Sequence, residues 1–530
     1  MNQIGSRARI GAALNTTMAG MVNIAGGLWR TLIVTHRYLG VAVSVLMVMW
    51  FASGAVMMYV GFPHITEDQR IRALTSIPWT ACCQFSERLT ADDEHVLRAQ
   101  LESLAGVPAM RLRRLGRPDT GVDLQQGAII RVDAGRAQAI ARDAAPRIIG
   151  QAANPIFAEQ AHADQWTIGR LDRDRPLFRF AFDDPERTNI YVSGMTGQVV
   201  HWTTKTQRFW NWLGAIPHWM YFIDLRSNAA LWSKVVIWTS ILGTFLTLIG
   251  LYVGIAQFKC GVGRAGSPYC GAFYWHHMAG LMFGLVTLTW VLSGLISMNP
   301  WGFLDSGRGA DEGARVEGQP AKWSEVRASL DAVRTRPDMV NTVSLVTASL
   351  EGRLYWLATQ IDGKVIRLDA TGNAVSVSNA DLARAAQRIA ETADIAEQGM
   401  LYEEDAYYFR GRDTFVLPVY RVILSDEGST RYYLDPTTGT LLQRVDTNSR
   451  WHRWLFGGLH RVDFMPWMRA RPVRDIIVLI MMLGGFALTA TGLYLAVRRV
   501  CSDAVALFRL AATRASAPQP APSKGDPIDV

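Results

Sequence analysis

Charge disappears from this chain in four stretches. Tyr38–Ile65 contains no Asp, Glu, Lys or Arg, and Val235–Phe258 runs 24 residues without one. Met278–Met298 lies inside a longer uncharged run, Ala265–Leu304, and Ile476–Val497 runs 22 residues. A helix of about 20 apolar residues crosses about 30 Å of hydrocarbon, so each stretch is long enough to span a membrane. Lipid offers the backbone no hydrogen-bond partners, so the stretches are expected to be helical. Between them the pattern changes. Gly127–Asp133 and Gly363–Asp369 alternate apolar and polar positions, as strands do, at an offset of 363 − 127 = 236. Pro176–Arg179 with Ile190–Gly197, and Pro418–Arg421 with Tyr432–Gly439, read as β-hairpins whose turns end in Thr-Gly. Apolar residues at i, i+3, i+4 predict helices over 86–104 and 380–397.

The two halves are copies of one another. Thr35-His36-Arg37 through Gly40 matches Trp275-His276-His277 through Gly280, an offset of 276 − 36 = 240. Trp50 with Ser53-Gly54 and Trp290 with Ser293-Gly294 keep that offset. Trp212-Leu213, His218 and Gly250-Leu251-Tyr252 match Trp454-Leu455, His460 and Gly492-Leu493-Tyr494 at 454 − 212 = 242. Each half therefore reads as span, α+β domain, aromatic amphipathic segment, span. The expected fold is an integral membrane four-span helical bundle with two α+β extracytoplasmic domains and an internal duplication. The boundaries run as a tail over 1–35, a span over 36–62, a domain over 63–206, an interfacial segment over 207–230 and a span over 231–258. A loop over 259–272, a span over 273–299, a domain over 300–448, an interfacial segment over 449–472, a span over 473–497 and a disordered tail over 498–530 complete it.

Charge orients this arrangement. Arg7, Arg9, Arg30 and Arg37 precede the first span, Lys259 and Arg264 join the second to the third, and Arg498-Arg499 follow the fourth. All three segments fall on one side, which is then the cytoplasmic one. The chain is expected in a bacterial inner membrane with its large domains in the periplasm. Residues 10–28 show no cleavage pattern, so the first span reads as an uncleaved anchor. The net charge of +8 comes with no nucleic-acid motif. Of the five cysteines, Cys82-Cys83 are adjacent, where a disulfide is expected to be strained, and Cys260, Cys270 and Cys501 fall on the cytoplasmic side. The chain lacks C-x-x-C-H, which argues against covalently attached haem.

The repeated histidines carry the chemistry. Neutral imidazole binds metal, and paired imidazoles at the ends of apolar helices point to bis-histidine haem. His36 and His276 would ligate one haem at the cytoplasmic end, and His218 and His460 a second at the outer end. Gly40 and Gly280 lie one turn beyond the first pair, where they would admit a flat macrocycle or simply let helices approach. His277 is an alternative to His276; adjacent helical residues point about 100° apart, so only one of them can serve, and the repeat favours His276. His452 is an alternative on the outer side. Arg208 and Arg450, matched by the repeat, are candidates for haem propionates or for lipid phosphate. Zinc would want four clustered ligands and copper Met and Cys around the histidines, so both fit less well. Trp50 and Trp290 either lie between the haems or only pack.

The Thr-Gly hairpins inside a span–domain–span repeat, with the His-Arg-x-x-Gly entry to the first span and the Trp-Leu-x-x-x-x-His segments, resemble the PepSY-associated transmembrane family, which includes FoxB-type dihaem siderophore reductases. The resemblance covers about Arg30 to Arg499. It implies an oxidoreductase with two haem b that passes electrons from a cytoplasmic carrier or a membrane quinol to a periplasmic ferric siderophore, releasing iron as Fe(II). Trp219, Tyr221, His452 and Arg461 would line the acceptor's approach. The competing reading is a membrane-anchored PepSY module that binds or regulates peptidases without redox activity. A repeat transporter, which would need polar or broken helices at mid-membrane, ranks last.

Overall fold

The computed structural model describes residues 4–86, 91–161, 163–169, 171–259, 266–307, 309–410 and 415–515. Cys260, Arg264 and the last stretch of the tail, 516–530, lie outside these. The described chain divides into a span unit, Met1–Ala55 with Val235–Met298 and Leu459–Val530, and a sheet unit, Val56–Lys234 with Asn299–Gly458.

Among the described residues, four helices are long and apolar enough to cross a membrane: Gly27–Met57, Ala229–Gln257, Gly271–Ser297 and Val473–Ala512. The first and last are parts of longer helices, Ile4–Met57 and Val473–Ala515, so helix continues where the sequence pattern suggests tails. Charged residues suit a helix once it leaves hydrocarbon, so charge marks the end of a span and not the end of a helix. Small residues set the packing, as is usual between helices that gain no hydrophobic drive from each other in lipid. A Cβ at Gly485 would overlap the Phe51 ring, and one at Gly484 the Phe283 ring.

Among the described residues, the sheet unit contains sixteen strands. They are β1 His95–Leu104, β2 Val107–Arg114, β3 Thr120–Asp123, β4 Ala128–Ile129, β5 Pro155–Ala161, β6 Leu177–Phe182, β7 Asn189–Ser193 and β8 Val199–Thr203 in the first half. The second half adds β9 Ala321–Lys322, β10 Thr342–Leu350, β11 Arg353–Gln360, β12 Val365–Asp369, β13 Ile395–Leu401, β14 Val419–Leu424, β15 Arg431–Leu434 and β16 Leu441–Val445. Each half is a meander, a helix (Ala134–Ile149 or Asn379–Ala390) and a four-stranded antiparallel sheet, β5-β6-β7-β8 or β13-β14-β15-β16. The second of these helices lies where the periodicity puts one.

Two expectations are corrected here, and a joint between the two α+β halves is added. Residues 95–104 are a strand and not part of a helix: β1 pairs with β2 on one side and β10 on the other. Leu101, Ala99 and Val96 go into the core with Leu345 and Trp356, and that tertiary pairing overrides the local spacing. The two α+β halves are joined to each other. Their meanders join edge to edge in one sheet, β12-β11-β10-β1-β2-β3-β4, through the pairs Gln100↔Val346, Leu101↔Leu345 and Glu102↔Ser344. Joining them removes two exposed edges. Lastly, the strand match at offset 236 is out of register. The β1–β2 turn at Ala105-Gly106 and the β10–β11 turn at Glu351-Gly352 are both left-handed, with φ of 51° and 81° against 56° and 75°, the conformation a two-residue hairpin demands. This sets the meander offset at 351 − 105 = 246, so β12 corresponds to β3, and Asp369 to Asp123. Both aspartates accept main-chain N–H groups two residues on, from Gln125 and Thr371.

At offset 242 the copies agree closely. The hydroxyls of Tyr191 and Tyr433 donate to Asp164 and Asp405, each at 2.7 Å. Cys82 and Cys83 are joined as a disulfide. Beside the joint between the halves, buried Glu102 accepts from Arg70 at 2.6 Å, Gln100 at 2.7 Å, Gln198 at 3.0 Å and Ser344 at 3.0 Å.

Candidate functional site

The four spans enclose a cavity of about 420 Å³ at the His36 end of the bundle, lined by residues of all four. That is within the ~300–1,000 Å³ usual for cofactor sites. Gly40, Gly280 and Gly284 line it, as do Leu246, Leu281 and Leu488. The described lining contains no Asp or Glu.

His36 and His276 meet inside this space, their ring centres 6.2 Å apart and their planes inclined by 41°. Each ring is fixed the same way. His36 Nδ1 lies 3.2 Å from the Leu246 carbonyl oxygen, and His276 Nδ1 3.2 Å from that of Leu488. These two carbonyls are themselves repeat partners, 488 − 246 = 242. A carbonyl only accepts, so each Nδ1 carries the proton and donates it, which leaves each Nε2 with its lone pair. Two imidazoles this close, each with an Nε2 lone pair, are a donor pair that could take one iron between them.

Sequence reasoning saw Gly250 and Gly492 only as markers of the repeat. In the structure they make room for the rings. A Cβ on Gly250 would lie 2.5 Å from His36 Cε1, and one on Gly492 3.1 Å from His276 Cε1. Their conserved place in both copies, opposite the histidines, was the available signal. Two buried hydroxyls that line the cavity, Ser44 and Thr287, have no hydrogen-bond partner among the described residues. They leave polar capacity facing the cavity.

His277 is placed differently. Its Nδ1 is 2.7 Å from Ser267 Oγ and its Nε2 2.8 Å from the Gly254 carbonyl oxygen, so both ring nitrogens are engaged with protein, and Tyr269 packs edge-on against it. His460 also belongs to the span unit. Its Nδ1 lies 3.0 Å from Ser293 Oγ and 3.2 Å from the Trp290 carbonyl oxygen, the same backing that His36 and His276 have. Trp290 is buried against Phe51.

His218 and His452 lie in the sheet unit. His218 is on the short helix Ala215–Trp219, beside a cluster of Phe62, Trp166, Trp219 and Tyr221. His452 ends the helix Thr447–His452 and packs on Phe456. Arg208 donates to the carbonyls of Thr203 at 2.9 Å and Arg187 at 2.7 Å. Arg450 donates to the Ser429 carbonyl at 3.4 Å and Thr447 Oγ1 at 3.2 Å. Arg187 and Ser429 are left-handed turn residues 242 apart. Both arginines thus tie the start of an aromatic helix to a hairpin turn.

Among the described residues, no cluster of three or more His, Cys, Asp or Glu is placed to hold a metal ion. A macrocycle that brings four nitrogens of its own asks for just two, and two is what the cavity offers. The residues present fit haem. Comparison with models of known protein families finds no match, and no curated protein matches the sequence.

Proposed function

We propose that this chain is a dihaem b-type reductase of the bacterial inner membrane that delivers electrons to a ferric siderophore in the periplasm. The observation that carries the redox half is the facing pair His36 and His276, each backed by a repeat-related carbonyl inside a cavity closed by four spans. Haem bound there would supply a one-electron Fe(III)/Fe(II) couple suited to electron transfer. His36 and His276 would hold it through Nε2. Leu246 and Leu488 orient the rings, and the hydrocarbon walls exclude water. His218 and His460 are proposed for a second haem on the strength of the repeat, with Ser293 and the Trp290 carbonyl orienting His460. Two sites, one toward each face, let electrons from a cytoplasmic carrier or quinol cross the bilayer. The siderophore as acceptor rests on the resemblance to FoxB-type proteins. Fe(III) held by hard oxygen donors loosens on reduction to Fe(II), and the sheet unit is the part available to dock it.

The full-length protein, purified from cells well supplied with haem, is expected to show a reduced b-type absorption band and two haems per chain by pyridine-haem assay. Colourless protein overturns the proposal and leaves the membrane-anchored binding module standing.

Gly250→Val gives a finer check. Its branched side chain must displace the His36 ring, so bound haem is expected to fall from two toward one per chain. Gly492→Ala, with 3.1 Å available, is expected to lose much less. Full haem content in Gly250→Val would show that His36 is not held where the structure has it.

A further inference from the structure

The histidine site is built from two copies of one motif, yet its two lateral sides differ. The difference arises where the repeat breaks. At offset 240, Arg37 corresponds to His277, and at offset 242, Arg499 corresponds to Gln257. Between the second and third spans, His277 bridges Ser267 and the Gly254 carbonyl, with Tyr269 against it. That side is closed by neutral groups already satisfied by one another. Between the first and fourth spans the lining instead carries Arg37 and Arg499. Arg499 interacts with Tyr38, the neighbour of Arg37, and its Nε is 2.9 Å from Asp503 outside the cavity. A guanidinium has five N–H donors, so the contacts to Tyr38 and Asp503 leave others for a further acceptor. So one side of an otherwise uncharged cavity presents two guanidinium groups, one from each flanking span.

The geometry points to a dicarboxylate-binding edge: Arg37 and Arg499 receive the two propionates of the haem held by His36 and His276, and they select which way that haem faces. The inference rests on the haem reading above. A symmetric ligand pair by itself would accept the macrocycle with its carboxylates toward either side. Among the described lining residues, the side between the first and fourth spans is the one that carries guanidinium groups to neutralise them. A carboxylate turned toward His277 would meet, among the described residues, a ring and a hydroxyl already hydrogen-bonded to each other, and an unpaired carboxylate is costly in a low-dielectric site. Guanidinium is the side chain suited to such a contact, because its planar fork meets a carboxylate through two parallel hydrogen bonds. The same two residues place positive charge beside the iron and so favour its ferrous form.

The test uses the full-length protein in detergent, with Arg37→Gln/Arg499→Gln, and follows loss of haem to an excess of apomyoglobin at the Soret band. The double variant is expected to release the haem of the His36–His276 site about tenfold faster than the parent, from the loss of charge-assisted hydrogen bonds. Its midpoint potential is expected to move to more negative values. When parent and variant are both reconstituted with haem whose propionates are esterified, the difference in rate is expected to vanish. Arg37→Lys/Arg499→Lys, which keeps the charge and loses the fork, is expected to fall between. A parent that shows its Soret band and a Gln variant that releases haem at the parent's rate overturn this proposal and leave the haem reading intact. A parent with no Soret band overturns both.

Discussion

His36→Ala and His276→Ala are each expected to lower bound haem from two per chain to about one, and to leave the spectrum of the remaining haem unchanged. On the proposed reading each ring would supply one of the two protein ligands to the iron, and neither has a neighbour able to replace it. His277, the nearest candidate in sequence, is held through both nitrogens by Ser267 and Gly254. Turning it toward the iron would strand a buried hydroxyl and a buried carbonyl, at about 1–3 kcal/mol each. Free imidazole added to either variant fits the hole left by the side chain and is expected to restore much of the lost absorption. His460→Ala and His218→Ala are expected to remove the other haem, so that His36→Ala/His460→Ala is colourless. His277→Ala, in contrast, is expected to keep both haems and to lower thermal stability. Two full haems in both His36→Ala and His276→Ala would sink the ligand assignment, and loss of haem in His277→Ala alone would transfer it to that residue.

Glu102→Ala is expected to be the most damaging substitution in the sheet unit. Glu102 is almost wholly buried and takes hydrogen bonds from Arg70, Gln100, Gln198 and Ser344. Removing one partner of a buried ion pair costs about 3–5 kcal/mol. Arg70 is 22% exposed and keeps Glu67, so the expected loss is at the low end, about 3 kcal/mol. It should appear as a lower unfolding midpoint of the whole protein in detergent, and as faster proteolysis in the β1–β10 region where the halves join. The pH dependence follows from the same contacts. Burial would raise the Glu102 carboxyl, but the Arg70 charge and the hydrogen bonds outweigh it and hold it below the ordinary glutamate range. Because the folded state binds the proton less readily than the unfolded one, this contribution is fully present above the unfolded value of about 4.3. It is lost as pH falls through the lower folded value. Stability of the parent above that of Glu102→Gln should therefore be largest near neutral pH and shrink below about pH 4. A constant difference down to pH 3 would show that the charge is not what stabilises the joint.

The resemblance of the two halves was readable because duplication leaves marks at fixed offsets, and spans are readable because hydrocarbon imposes length and composition on any helix that crosses it. The copies drift where geometry tolerates it. The meander keeps an offset of 246 and the hairpins one of 242, so a match at 236 between Asp133 and Asp369 was available by chance in alternating strands. The left-handed pair in each turn, Ala105-Gly106 and Glu351-Gly352, was the better guide to register. Residues 95–104 misled for a different reason. Their apolar spacing suits a helix, and nothing local reveals that β10, more than 200 residues away, will pair with them.

The sequence by itself determined that this chain has four apolar spans, a duplicated α+β elaboration and histidines in register. Each of these is a local pattern or a comparison of the chain with itself. Tertiary structure alone decided which groups meet. It brought His36 and His276 together, set Leu246 and Leu488 behind them, engaged His277 elsewhere, and put Gly250 and Gly492 where the rings need space. It also merged the two halves through β1 and β10. These outcomes depend on how helices and strands distant in sequence pack, and packing is settled by shape and hydrogen-bond satisfaction across the whole bundle and sheet, which no window of residues contains.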